Sequence, residues 1–473
     1  GHSMVPAVIP PGTLMFHGTH NQSTPVGPEW LAFDFEHSYG FARSITGHVL
    51  TFAAKRPLRV VLFDGLSGHV SRDMQEVIMF GEVREEVHKW PWETASELCA
   101  WGDKFGVDGF VRMEDDFELI WCDFDNGLEL VSALRVLPLE QRVTRTNMTV
   151  SSPNADPLPL HSPPRELPDW PPPRITPPRG WVGTLPTSFG HDWYSSEIYV
   201  AAKWHDRPPG ETRVRPIISK LVTFYDPAIT SVIANRRGKT RDQHRLVGIS
   251  GSDAETKRTE LEEVLKGGWI ESMSGVDWAS IVRIVVEQYS ERLDLLNQTL
   301  SAPSSLQSSS AISLPLEAET PFNRTFKARQ QVLTMLTPHF TVSDTPLNVS
   351  TLEGKRRWLA PVIQRCSTRH TRILPTELFT EQERLIRNGV ETVTREICRR
   401  LGRMFYLSYD LEVPMLPDMK SDPHPQGRHA VLMVSMRMEI QELMEWLDWV
   451  QVWSKCRPAC RFDVSIPALS CGR

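Results

Sequence analysis

The sequence predicts an α+β protein: an N-terminal domain built on a mixed, mainly antiparallel sheet, followed by a mostly helical C-terminal half. Three observations predict it. Residues 12–136 carry short β-type runs separated by Gly, Pro and Asp, without the regular alternation that βαβ units need. Residues 153–178 hold 11 of the 37 prolines. From about residue 190 onward apolar residues recur at helical spacing.

The β-type runs begin with Leu14-Met15-Phe16 and continue with Trp30 to Phe33, Leu50 to Ala53 and Leu58 to Phe63. After a helical interval around Trp92 to Lys104 come Gly109 to Arg112, Phe117 to Cys122 and Leu128 to Val131. No GxGxxG and no phosphate loop is present, which disfavours a nucleotide-binding fold of that kind. The proline-rich stretch can build neither a helix nor a central strand, because proline lacks an amide donor and its φ is fixed. It reads as an extended connector, which sets the expected division at 5–137 for the sheet domain, 138–190 for the connector and 191–473 for the helical domain. In that last part Trp278, Ile281, Val282, Val285, Tyr289, Leu293 and Leu296 line one helix face. Thr380-Glu-Gln-Glu383 is a capping box that opens a helix running through Leu401. A last long helix is expected from about Val431 through Trp446, Trp449 and Trp453, its Met and Trp stripes serving as core. Ser301 to Ser313, with seven serines, reads as a loop.

With 473 residues the chain is too long for one core. Its longest apolar runs are far shorter than the roughly 20 residues of a membrane span, so no span is expected. The opening Gly1-His2-Ser3-Met4 reads as a cloning remnant, which leaves room for an anchor or signal segment upstream. The net charge of −6 conceals an asymmetry: residues 1–136 hold 10 Lys+Arg against 20 Asp+Glu, and the remainder 42 against 38. An acidic domain beside a mildly basic one suits a cationic small substrate in the first and a polyanion in the second, or simply two unevenly charged solvated surfaces.

The seven cysteines form no CxxC pair and no Cys/His cluster with zinc spacing, so no structural metal is expected. The tail from Cys456 through Cys460 to Cys471 can hold a disulfide in an oxidising compartment. Five of the nine asparagines, Asn21, Asn147, Asn297, Asn323 and Asn348, head an N-x-Ser/Thr glycosylation acceptor. Chance would give roughly one or two, and such acceptors are used only in a secretory lumen.

Three segments offer chemistry. In Phe16-His17-Gly18-Thr19 a strand-end His17 is followed by glycine, which lets backbone approach a ligand. In the stretch from Trp30 to Ala42, Asp34 caps a helix whose first turns carry His37, Ser38 and Tyr39. In the third, Glu114, Asp115 and Asp116 precede Glu118 at the start of an apolar strand. Like charges this close raise one another's pKa, which makes a carboxylate a usable base near neutral pH, and they attract a guanidinium. Each segment has a plain structural reading as well: a strand-capping turn, an ordinary helix start and a solvated acidic turn.

Taken in order, the three segments resemble the ADP-ribosyltransferase superfamily, in which a first-strand His, a mid-sheet Tyr and a late-strand Glu line the nicotinamide pocket. His17 matches the first and Glu118 the third. The middle position falls near Leu31, with Tyr39 as a displaced substitute. The whole chain is similar to a fungal family that we identify with the arginine-containing cyclodipeptide synthases. The resemblance rests on Gly-Thr-Leu-Met-Phe-His-Gly-Thr, Trp-Leu-Ala-Phe-Asp, Gly-Val-Asp-Gly-Phe-Val-Arg-Met-Glu and the ending Trp-Leu-Asp-Trp-Val…Cys-Arg-Pro-Ala-Cys. Against that family's Asp-Asp-x-x-Glu motif this chain sets Glu114-Asp115-Asp116-Phe117-Glu118, with Glu in place of the first Asp.

This resemblance implies condensation of arginyl-tRNA with a second aminoacyl-tRNA to a diketopiperazine, without a cofactor. Aminoacyl esters are already activated, so the enzyme has to orient two of them and remove a proton. Glu118 is then the base, Glu114 and Asp115 hold the arginine side chain with Asp116, His37 and Ser38 beside them, and His17 or Tyr39 positions the ester. Arg236, Arg237, Lys239, Arg241, Lys355, Arg356 and Arg357, with the run Arg399, Arg400 and Arg403, are the candidates for tRNA phosphates or are ordinary solvated faces. This reading implies a cytoplasmic protein, membrane-associated if a trimmed segment anchored it. Two other readings stand beside it: an NAD-consuming ADP-ribosyltransferase built on His17 and Glu118, and a binding protein of the secretory lumen or outside the cell, supported by the five acceptors and the cysteine tail.

Overall fold

The structure is a computed structural model describing residues 2–42, 46–65, 67–68, 72–84, 91–114, 116–136, 206–207, 210–240, 243–301, 320–341, 352–412 and 425–453. Its N-terminal part is one large mixed sheet. Strands β1 (Ser3–Ile9), β2 (Leu14–Thr19), β3 (Glu29–Ala32), β4 (His48–Ala54), β5 (Leu58–Phe63), β6 (Gly109–Met113), β7 (Phe117–Trp121) and β8 (Leu128–Arg135) belong to it. So do the short β11 (Arg215–Pro216) and β12 (Val222–Thr223), whereas β9 (Asp206–Arg207) and β10 (Gly210–Glu211) form a separate hairpin. The order is β11-β1-β5-β6-β7-β3-β2-β4-β8, with β12 also on β1; β5 and β6 pair in parallel and every other ladder is antiparallel.

Alternation along the strands gives the sheet two apolar faces, each with its own core. One face gathers Val5, Ala7, Ile9, Met15, Leu31, Leu50, Phe52, Val60, Leu62, Val111, Leu119 and Trp121. No helix contributes to that cluster, so the sheet buries this face by curling over itself. The other face, with Met4, Val61, Phe63, Phe110 and Ile120, is covered by α2 (Asp73–Phe80), α3 (Pro91–Asp103), α4 (Thr230–Arg236) and α5 (Gly251–Lys266).

Two findings bear on the sequence reading, the second as a correction. The opening Gly1-His2-Ser3-Met4 reads as a cloning remnant, yet Ser3 and Met4 begin β1, and Met4 is fully buried opposite Phe63. Pro6 fits this strand because its carbonyl accepts from Ile217 at 2.8 Å, which points its missing amide toward the same side, between the two short strands β11 and β12. The second finding concerns domain bounds. Residues 215–223 pair with β1, and α4 and α5 pack on the sheet, so the first unit takes in chain on both sides of the connector. The stretch of 138–190 that was read as an interdomain connector lies outside the described residues.

A third core is helical. Helices α6 (Trp278–Ser301), α7 (Pro321–Leu336), α8 (Leu352–Ser367), α9 (Glu381–Glu412), α10 (Pro425–Leu447) and the short α11 (Val450–Trp453) enclose Tyr289, Leu293, Leu296, Val332, Leu336, Ile397, Leu401, Met436 and Ile440. The capping box forms reciprocally: the Thr380 amide donates to Glu383 Oε2 at 2.9 Å, and the Glu383 amide donates to Thr380 Oγ1 at 3.1 Å. Thr380 Oγ1 also donates to the Ser219 carbonyl at 2.9 Å, tying this helix to the first unit. No helix among the described residues is long and apolar enough to cross a membrane.

Candidate functional site

The hairpin of β6 and β7 sets Arg112 opposite Glu118, and β3 continues the row with Ala32 and β2 with Phe16. Residues directly opposite one another in antiparallel pairs share a face, so Glu118, Ala32 and Phe16 all point to the helix-covered side. His17 follows Phe16 by one residue and therefore points the other way, toward the curled interior with its partner Leu50. There its Nδ1 lies 2.7 Å from the Trp30 carbonyl oxygen, which accepts a hydrogen bond from it, and its ring meets Phe124 edge-on. The sheet itself separates His17 from Glu118. A shared hollow between them, the geometry that the sequence reading assumed, is not what the register makes.

Glu118 is 4% exposed and accepts the Arg112 Nε–H at 2.6 Å. Arg112 Nη1 also donates to Gln75 Oε1 at 3.4 Å, and Gln75 Nε2 donates to the Ser67 carbonyl at 2.9 Å. The Trp30 ring lies 5.9 Å from the guanidinium carbon. A carboxylate held this way balances a buried cation. It is poorly placed to take a proton from a substrate, since water and ligands reach it little.

Asp116 is fully buried; its Oδ1 accepts the Phe117 amide at 2.9 Å, and its Oδ2 stands 3.9 Å from His37 Nδ1 without a hydrogen-bond partner. His37 and Ser38 are buried in the short helix α1 (Phe35–Tyr39), which packs on β2 where Gly18 leaves room for it. Tyr39 is half-buried and stacks on Phe35 at 6.2 Å, and Glu114, also half-buried, donates its amide to the Asp116 carbonyl at 3.0 Å. Asp115 lies outside the described residues. The helix-covered face thus gathers Glu118, Asp116 and His37 into one buried polar region, with Arg112 and Gln75 completing it.

Arg112 and Gln75 escaped the sequence reading. The tight acidic turn held a signal for Arg112, since positions equidistant from a hairpin turn face one another. Arg213 escaped as well: its Nε donates to Glu211 Oε1 at 2.6 Å and its Nη2 to Asp34 at 3.3 Å, while Nη1 reaches the Phe33 carbonyl. Its separation of 179 residues from Asp34 leaves no local trace.

The candidate tRNA contacts scatter. Arg236 is buried, with Nη1 donating to the Phe224 carbonyl at 3.2 Å and the guanidinium 4.3 Å from the Tyr225 ring; burial holds its pKa below the usual arginine range. Arg237, Lys239 and Arg357 are exposed, and Arg241 and the side chains of Lys355 and Arg356 lie outside the described residues. The run on α9 is matched by acids: Arg399 pairs with Glu396 at 2.6 Å, Arg400 with Glu396 at 2.9 Å and Glu439 at 2.8 Å, and Arg403 with Glu439 at 2.9 Å.

Four cysteines are paired among the described residues. Cys99 on α3 bonds Cys122 just after β7, and Cys366 on α8 bonds Cys398 on α9. One disulfide thus sits in the helix-covered core of the sheet and one in the helical core, at positions the sequence reading did not single out. The cysteine tail lies outside the described residues.

Comparison with known proteins places the likeness in the N-terminal part. The family described as the YPL277C N-terminal domain matches residues 1–48 and 43–161. The chain is 29% identical to the uncharacterized protein YOR389W of Saccharomyces cerevisiae over 205 residues, which is 32% of each chain. It is also 29% identical to the uncharacterized protein YPL277C of the same yeast over 206 residues, 32% of this chain and 42% of the other. The chain thus spans 32% and 42% of these relatives' lengths. No solved structure matches the chain. What the chain is similar to is the family described as the YPL277C N-terminal domain, within residues 1–161, and a part of each of these two yeast proteins.

Proposed function

We propose that this chain is a binding protein of the secretory lumen or the extracellular space. The observation that carries this reading is the pair of disulfides, Cys99–Cys122 in the sheet unit and Cys366–Cys398 in the helical one. Disulfides form and persist where the surroundings are oxidising, and the reducing cytosol disfavours them. The acceptor asparagines agree: Asn21 and Asn323 are exposed, as an N-linked glycan requires. The placement of the polar residues supports a binding role. Glu118, Asp116 and His37 are buried within the fold, and His17 works on the far side of the sheet. The condensation and NAD readings each need His17 and Glu118 at one hollow, and the opposite directions of these side chains speak against that pairing.

The test is to purify the native protein from a eukaryotic secretory host and map its peptides without reduction. Linked Cys99–Cys122 and Cys366–Cys398 peptides, with a gel shift on peptide-N-glycosidase treatment, are expected. Free thiols at all four positions together with unoccupied acceptors overturn the assignment.

A further inference from the structure

We propose that a groove at one end of the sheet, remote from the candidate site, binds a small phosphate monoester carrying a planar ring. The groove encloses about 580 Å³, within the usual size range of small-molecule pockets. It opens on the helix-covered side, where Val8 of β1 and Arg59 of β5 stand opposite one another and the ends of α3 and α5 come together.

Its polar lining has one sign. Arg59, Lys104 and Lys266 are exposed at the groove, and no carboxylate lines it. The side chains of Arg59 and Lys104 have no hydrogen-bonded or ion-paired partner among the described residues, and Lys266 has only Glu262 at 3.8 Å. The nearby Asp108 is already committed. It accepts both Arg56 Nη atoms, at 2.7 and 2.8 Å, and the Arg59 backbone amide at 2.8 Å. This cluster stands out in a part of the chain whose first 136 residues hold twice as many acids as bases.

Two helices end here, and their C-terminal carbonyls would project partial negative charge into the groove. Several of those carbonyls have donors. Lys220 Nζ donates to the carbonyls of Gly267 and Gly268 past the end of α5, and the amides of Phe105, Gly106 and Val107 close the end of α3. Arg59 and Lys104 are therefore left to act on a ligand, and Lys266, 3.8 Å from Glu262 and 5.6 Å from the Phe105 ring, adds a partly balanced third cation. A surplus of cations suits a dianion, and a phosphate monoester carries close to two charges at neutral pH. Arginine adds the planar fork that matches phosphate oxygens. The walls supply the rest: the half-buried Phe105 and Trp269 present ring faces and edges beside exposed Ile270, a surface that takes a flat ring.

The experiment is isothermal titration of the full chain with adenosine monophosphate, with adenosine and inorganic phosphate as separate arms. Adenosine monophosphate is expected to bind, and each half-molecule to bind at least about tenfold more weakly, since each loses the ionic or the stacking contribution. Arg59→Ala and Lys104→Ala are each expected to weaken binding by about tenfold while leaving the melting temperature unchanged, because both side chains are exposed. Absence of binding at millimolar concentration overturns the proposal. So does binding that both variants leave intact, or that adenosine alone reproduces. The outcome is independent of the compartment in which the protein works.

Discussion

A β-carbon added to Gly18 would stand 1.9 Å from the carbonyl oxygen of Ser38 and 2.9 Å from Cβ of Phe41. The glycine of the Phe16-His17-Gly18-Thr19 segment thus exists to let helix α1 lie against strand β2. Sequence reading had assigned its lack of side chain to a ligand. Both atoms nearest the added carbon are held close to the main chain, so no side-chain rotation relieves the clash. Gly18→Ala is expected to lower stability by about 1–3 kcal/mol, the usual range for overpacking. Urea unfolding of the purified variant measures it, and a midpoint equal to wild type would refute the packing role.

Arg112 and Glu118 form a pair with both side chains at most 6% exposed. Removing one partner leaves the other charge buried and uncompensated. Glu118→Gln is expected to destabilise the fold by roughly 3–5 kcal/mol, whereas Arg112→Met combined with Glu118→Leu recovers most of the loss. Thermal melts of the single and double variants check this. The same single variant addresses the condensation reading. Mass spectrometry of a yeast host expressing wild type is expected to show no arginine-containing diketopiperazine, and a product that disappears in Glu118→Gln would reinstate Glu118 as a base.

Glu383 links pH to the docking of α9. Burial pushes its pKa up, but hydrogen bonds from the Ser274 hydroxyl, the Thr380 amide and the Trp278 indole outweigh this and hold it below the ordinary glutamate value. A carboxyl with a depressed folded-state pKa contributes stability that is complete above its unfolded pKa and disappears as pH falls through the folded one. The urea midpoint is expected to drop between about pH 5 and about pH 3, where glutamates titrate. In Glu383→Gln the drop should be shallower. Parallel pH profiles for the two proteins would undo the assignment.

The two disulfides close loops with sequence separations of 23 and 32. Chain entropy gives each roughly 3–4 kcal/mol of stabilisation. Reduction under native conditions is expected to lower the unfolding midpoint in two increments, one assignable to each unit by Cys99→Ala/Cys122→Ala and Cys366→Ala/Cys398→Ala pairs. An unchanged midpoint after full reduction contradicts this.

The elements that were legible in the sequence are those fixed by local chemistry. Leu58–Phe63 is a β-branched and apolar run broken only by the exposed Arg59, and it forms β5 with those bounds. Thr380 and Glu383 sit three apart, and their capping box forms as drawn. Val285, Tyr289, Leu293 and Leu296 share one stripe and enter one core. What could not be read depends on pairing between distant segments. Strand β1 was not read from the sequence, and its outer partners β11 and β12 are more than 200 positions away. The directions of His17 and Glu118 were undecidable for a similar reason. Each strand alternates, but which residue faces which side follows from β3 lying between β2 and β7, and nothing local to either segment specifies that. The groove with Arg59, Lys104 and Lys266 joins residues separated by up to 207 positions (266 − 59 = 207), so no motif announced it.

Strand β1 is held on one side by β5 and on the other by β11 and β12, whose residues come more than 200 positions after it begins. A fragment ending near residue 137 would therefore keep the hairpins yet leave the outer ladder of β1 bare, inviting edge-to-edge association instead of solubility. The unit that folds is thus larger than the stretch within residues 1–161 that the family model matches, and expressing that segment alone would leave β1 without β11 and β12.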